Sequence, residues 1–260
     1  MSSEAMASSS LNAWQVENLR LTAFLPTEAK VEPAKWWTDL VGYPPETVVS
    51  HPKVGRYREE GLYEGRKLSL QVQPGRVDWL LGPAVEPSEE TGEGFETKPS
   101  AGPFLETLSS FVKLASGWFQ LSPHVTRLAF GAVLFFPVAD RRAGYVQLGK
   151  YLHSLTLDPE ASDFSYQINR SRDSTIGIPG LRINRLTTWS VLLFRRFSLS
   201  LGKTAIKAGE YTTLESACRL ELDINTAPEY SGVLPIELLP NLFQELVELG
   251  KEIAEKGDVP

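Results

Sequence analysis

The stretch Val125-Thr-Arg-Leu-Ala-Phe-Gly-Ala-Val-Leu-Phe-Phe-Pro137 decides how the rest of the chain is read. From Leu128 to Phe136 every residue is apolar or glycine, at both parities. A strand with one wet face alternates apolar and polar residues, whereas one covered on both faces does not. Residues 125–136 are therefore expected to form a central strand. Pro137 ends it, because proline has no N–H to give to a ladder.

Upstream, Leu19, Leu21, Ala23 and Leu25 recur at period two within residues 14–25, which marks a strand with one buried face. Residues 33–41 suit a short helix, with Pro33 in the first turn and Trp36, Trp37, Leu40 and Val41 clustered on one side. Gly42 and the Pro44-Pro45 pair stop it. Strands follow at residues 56–63, 66–73 and 76–81, the last two turned by Pro74-Gly75 into a meander. Gly102-Pro103 then opens a helix whose Phe104, Leu108, Phe111, Val112, Ala115 and Phe119 recur every three or four residues. Downstream of the central strand, residues 141–155 read as helix and 164–168 as a short strand. Residues 181–201 are a long β-rich run, 211–224 an alternating strand, and 236–253 a final amphipathic helix.

The element string β-α-β-β-β-α thus occurs twice. The expected class is α+β: a duplicated β-α-β-β-β-α unit forming largely antiparallel sheet, with helices packed on one face. Residues 1–12, rich in Ser and Ala, are expected as a flexible tail. Residues 13–122 form a first lobe and 123–260 a second. Residues 83–101 hold Pro83, Pro87 and Pro99 among Glu86, Glu89, Glu90, Glu93 and Glu96, with no apolar period, and read as a long polar loop.

The run Leu220-Glu-Leu-Asp-Ile-Asn225, followed by a helix with Asn241-Leu-Phe-Gln-Glu-Leu, resembles the carboxyl end of a sporadically distributed bacterial family of uncharacterised proteins. The resemblance implies a bacterial protein of about this size and brings no activity with it. The topology is also similar to saddle-like duplicated folds of the TATA-binding type. DNA binding is not carried over, because 26 Lys+Arg against 32 Asp+Glu give a net charge of −6, and a nucleic-acid surface needs a basic footprint.

The chemistry-bearing residues are sparse. His51, His124 and His153 are scattered without metal-ligand spacing. There is no nucleophile elbow and no phosphate loop. Cys218, the single cysteine, falls on the apolar parity of its strand and reads as a small buried hydrophobe. Glu215, Glu221 and Asp223 share the opposite parity with Arg219, a pattern that suits a solvated, ion-paired strand face or a divalent cation. The clearest asymmetry is cationic. Arg141, Arg142, Arg170, Arg172, Arg182 and Arg185 crowd the second half, two of them in the hydroxyl-rich loop 169–180. Arginine forks suit phosphate or carboxylate, so these six are the candidate residues for a partner or an anion.

The expected function is a non-enzymatic binding or adaptor protein that associates with another protein, without a cofactor. The alternatives are a sensor holding a small anionic ligand between the lobes and a metal-dependent enzyme built on the strand carboxylates. No apolar run approaches the ~20 residues that span a bilayer, and nothing requires an oxidising compartment, so the cytoplasm is the expected location.

Overall fold

Period-two segments from both halves of the chain join into one ten-stranded antiparallel sheet in the computed structural model. It describes residues 11–26, 28–29, 31–84, 98–201 and 206–260, and gives side chains for these except 195–201 and 206–214. In chain order the elements are β1 (Gln15–Phe24), α1 (Trp36–Val41), β2 (Thr47–His51), β3 (Arg56–Tyr63), β4 (Arg66–Gln73), β5 (Arg76–Gly82) and α2 (Phe104–Phe119). Then come β6 (Arg127–Val138), α3 (Arg141–Gly149), β7 (Ser165–Asn169), β8 (Arg172–Asp173), β9 (Arg182–Leu201), β10 (Ile206–Thr226) and α4 (Leu239–Lys256). The strand order is β2-β3-β4-β5-β1-β6-β10-β9-β7, with β8 also on β9.

The apolar period of β1 sets the middle of the sheet. Leu21 lies opposite Trp79 of β5 and Phe130 of β6, and Leu19 opposite Leu81 and Ala132. Phe130 continues the row to Ile224 of β10, and Leu134 meets Leu220. One face of the sheet is thereby wholly apolar at its centre. Trp37 of α1 stacks on Trp79 at 6.3 Å, and Phe243 of α4 meets Phe130 edge-on at 5.9 Å. Phe111 and Phe119 of α2 reach the same Phe243 at 6.4 and 5.7 Å. On β10 the Cys218 Sγ donates to the Gly144 carbonyl of α3 at 3.3 Å, and burial pushes the thiol up to about 12. It is a packed thiol rather than an activated one. One continuous core holds residues of both halves.

The central strand lies between β1 and β10 but spans Arg127–Val138, since Pro137 pairs with Ala217 instead of ending it, and it is buried at both parities for two different reasons. Phe130, Ala132 and Leu134 lie among apolar side chains of the core. On the other parity Ala129 and Gly131 are too small to stand above the long side chains beside them, among them Arg20, and Phe135 lies under Lys98. Shading by neighbours covers this parity where a second layer was expected.

Some expectations change. Thr47–His51 is a strand that carries no sequence signal, because all five residues are exposed and nothing selects an apolar period. Between the first and last strand of each half there are accordingly three strands and not two. The helix after Asp140, which caps it by accepting from the Ala143 N–H at 2.8 Å, stops at Gly149 instead of 155. Tyr151 and Leu152 continue the apolar spacing as a turn pressed into the core. Of the expected tail, residues 1–10 lie outside the described residues, while Leu11 is 5% exposed and belongs to the core. Of the polar loop 83–101, residues 85–97 lie outside the described residues.

Glu59 of β3 sits among the apolar rows, opposite Leu70, and is 3% exposed. Its Oε1 accepts from the Tyr57 hydroxyl at 2.5 Å, and its Oε2 has no hydrogen-bond partner. Burial raises its pKa above the ordinary glutamate value. A carboxyl raised in the folded state binds protons that the unfolded chain has already lost, so its stabilising share is complete at low pH and fades as pH rises through the folded value. Glu59→Gln is expected to raise stability near pH 8 by about 1 kcal/mol and to leave it nearly unchanged near pH 4. Melting curves of both proteins at the two pH values check this.

Candidate functional site

Five strands build a charged cavity on the face of the sheet opposite the apolar rows. In register, Arg20 of β1 lies opposite Gly131 of β6, and Gly131 lies opposite Asp223 of β10. The next row of that parity is Asn18, Val133 and Glu221, flanked by Thr188 of β9 and Gln167 of β7. Gly131 supplies a floor without a side chain. A Cβ there would stand 3.1 Å from the Arg20 Nε and 3.3 Å from its Nη2, so the guanidinium already lies over the glycine. The cavity has a volume of about 220 Å³ and includes Asn18, Arg20, Gln167, Thr188, Glu221 and Asp223 in its wall.

The charges of this cavity are incompletely matched. The Arg20 Nε is buried with no hydrogen-bond partner, and Arg20 forms no ion pair among the described residues. Asp223 accepts from the Asn225 amide at 3.1 Å and has no cationic partner among them. Glu221 is paired with Arg219 on its own strand, and Arg219 also reaches Glu17 at 3.6 Å. On the neighbouring strand Thr188 and Leu186 stand opposite Glu221 and Asp223, so β9 supplies no cation to either, and Arg182 pairs instead with Asp173 at 3.5 Å. Among the described residues no group of three or more His, Cys, Asp or Glu is placed to hold a metal ion.

One end of this face is strapped by the segment that closes the polar loop. The Lys98 backbone N–H donates to the Glu215 carboxylate at 3.0 Å, and the Lys98 ammonium pairs with Glu17. That ammonium also lies 4.6 Å from the Phe135 ring and 4.9 Å from the Phe194 ring. Cation–π contact with these two rings, that of Phe135 buried, holds this lysine in place.

The six candidate arginines divide. Three converge on the carboxyl-terminal residues of the same chain. Arg170 grips Asp258 through two bonds of 2.5 and 2.8 Å, while the Tyr166 hydroxyl donates to the same carboxylate at 3.2 Å. Arg185 donates to the Val259 carbonyl at 2.8 Å, and Arg172 donates to the Pro260 carbonyl at 3.2 Å and pairs with Glu252 at 3.4 Å. Hydrogen bonding from Arg170 holds the Asp258 carboxyl below its usual range against the upward push of burial. Burial, reinforced by the Arg172 and Arg170 charges, lowers the Arg185 pKa. The other three disperse: Arg142 pairs with Glu160 at 3.2 Å with both side chains exposed, Arg182 with Asp173, and Arg141 stands near Tyr145. The hydroxyls of loop 169–180 are also engaged, since Ser174 and Thr175 both donate to Glu245 of α4. These forks and hydroxyls are largely satisfied within the chain. Asp258, which holds Arg170 and lies beside the carbonyls that meet Arg185 and Arg172, carried no local signal in the sequence.

The three histidines are exposed. Trp36, Trp37, Trp118 and Phe119 are buried, as core aromatics should be.

The β9–β10 hairpin extends past the body of the sheet. β7 pairs with β9 only from Leu186 to Ser190, and β6 pairs with β10 only from Ser216 to Asn225. Beyond those points β9 and β10 pair with each other out to Leu201 and Ile206, with no third strand on either side among the described residues. Two register shifts, between Lys207 and Glu210 and between Thr213 and Glu215, interrupt this arm. Each gives β10 one extra residue, which bends a ribbon and increases its twist.

Comparison with protein-family models, curated proteins and solved structures finds no match. No helix among the described residues is long and apolar enough to cross a membrane.

Proposed function

We propose that the protein is a non-catalytic binding protein that grips an extended acidic segment of another protein along the β9–β10 arm. The observation that carries this reading is the arm itself, a two-stranded ribbon with both edges unpaired among the described residues. Isolated ribbons are marginal in water, and unpaired edges accept added strands. The sequence of residues 191–215 holds Arg195, Arg196, Lys203 and Lys207 against Glu210 and Glu215, a net +2 on a chain of −6. An acidic segment is the complementary partner, and charge of this kind chiefly speeds encounter and excludes wrong partners.

Two finer readings accompany it. The order β-α-β-β-β-β-α occurs in each half, which supports an internal duplication with β1 and β6 as equivalent central strands and the helices on one face. The resemblance at residues 220–225 and 241–246 supports a bacterial protein.

The test uses a fluorescent ten-residue peptide alternating valine and glutamate. The intact protein is expected to bind it more weakly as salt increases, and the double variant Arg195→Glu, Arg196→Glu to bind at least about tenfold more weakly. Amide hydrogens of residues 191–201 are expected to gain protection on binding. An absence of binding, or binding indifferent to the charge reversal, rejects the arm as the docking element.

A further inference from the structure

We propose that the cavity over Gly131 binds a small zwitterion of the α-amino acid class, its carboxylate on Arg20 and its ammonium on Asp223. Two opposite charges, Arg20 and Asp223, stand in one short row on the body of the sheet, separated by the glycine between them. Neighbouring strands are about 4.8 Å apart, so their backbones stand about 10 Å apart across that row. They form no ion pair with each other, and neither has another ionic partner among the described residues. A partly buried charge left without a counter-charge is costly, and structures retain such groups chiefly where something else completes them.

The arrangement selects among ligand classes. A simple anion on Arg20 would face the Asp223 and Glu221 carboxylates on the same cavity wall, and a simple cation between the acids would face Arg20. A ligand carrying both charges satisfies both ends, and planar arginine suits a carboxylate through paired donors. The volume of about 220 Å³ lies below that of drug-sized pockets, which suits a molecule of amino-acid size. Asn18, Thr188 and Gln167 add neutral polar groups at the wall, while Glu221 is already held by Arg219 and sets the field rather than the main contact.

Gly131 is then the residue that makes room. It has no positive φ and needs no special backbone, so alanine is conformationally acceptable there. The alanine Cβ would press on the Arg20 guanidinium from 3.1 Å and raise the cavity floor.

The experiment is a calorimetric and thermal-shift panel of the twenty amino acids, each paired with its deaminated acid and its decarboxylated amine. At least one amino acid is expected to raise the melting temperature in a concentration-dependent way, with its acid and amine counterparts at least about tenfold weaker. Arg20→Gln, Asp223→Asn and Gly131→Ala are each expected to weaken that binding by about tenfold or more while retaining a cooperative melt. The arm variant Arg195→Glu, Arg196→Glu is expected to bind the amino acid unchanged, which keeps this result separate from the peptide experiment. The proposal is overturned if no amino acid binds at millimolar concentration, if a deaminated acid binds as tightly as its parent, or if the three cavity variants bind as the unaltered protein does.

Discussion

Gly257→Ala is expected to lower the melting temperature sharply, with a stability loss of about 3–4 kcal/mol. Gly257 follows α4 with φ +82, a region that side chains disfavour, and an added Cβ would lie 2.0 Å from the Tyr151 carbonyl oxygen and 2.5 Å from the Tyr151 Cα. Both obstacles are backbone, and neither can rotate away. The glycine N–H closes α4 on Ile253 at 2.8 Å, and the next residue donates its N–H to Tyr151 at 2.9 Å. Displacing this turn withdraws Asp258 from Arg170 and Tyr166, and Val259 from Arg185. Arg185, 2% exposed, would then stay in the core with one bond fewer. A buried guanidinium left with an unmet donor is costly, because that donor has given up its water without gaining a partner.

The pH dependence gives this prediction a second readout. Asp258 has a depressed folded pKa, so its stabilising share is complete above the ordinary aspartate value and disappears as pH falls through the folded one. The deficit of Gly257→Ala should therefore narrow in acid. A variant that melts like the parent, or whose deficit is the same in acid, would show that the carboxyl-terminal clamp contributes nothing through Asp258.

The second large effect belongs to Trp14. It is fully buried and meets Phe136 at 5.7 Å, Tyr151 at 5.5 Å and Trp189 at 6.3 Å. Its indole N–H donates to the Ala254 carbonyl of α4 at 3.0 Å. One side chain thus joins the start of β1 to β6, β9, the turn after α3 and the last helix. Trp14→Ala is expected to cost about 3–5 kcal/mol through lost burial and the cavity left behind. Trp14→Phe keeps much of the packing, loses the hydrogen bond, and should fall between the two. Urea denaturation of the three proteins measures the series. Equal midpoints would mean that the aromatic cluster is not a stabilising centre.

Legibility in the sequence followed the range of the signal. The alternation of Leu68, Leu70 and Val72, and of Val77, Trp79 and Leu81, is a property of residues two apart, and the strands they announce lie at 66–73 and 76–82. The stripe from Phe104 to Phe119 announces α2, which spans those residues. Thr47–His51 gives no such pattern, because it is an exposed edge strand fixed by its hydrogen bonds to β3. Glu221 and Asp223 could be seen to share a face, being two apart on one strand. Arg20 could not be joined to them, since 203 positions separate it from Asp223 and only two pairing registers, β1 on β6 and β6 on β10, bring them to one row.

The arginines show the same division. Their crowding in the second half was visible, as were their suitability for carboxylates and the α+β class of the chain. Which carboxylate they meet was decided by tertiary structure: α4 returns the chain across the sheet and delivers Asp258 to Arg170. Local periodicity follows from the backbone's own repeat and is written residue by residue. Register and the return path of a helix arise from the joint packing of distant segments, and no short stretch of sequence contains them.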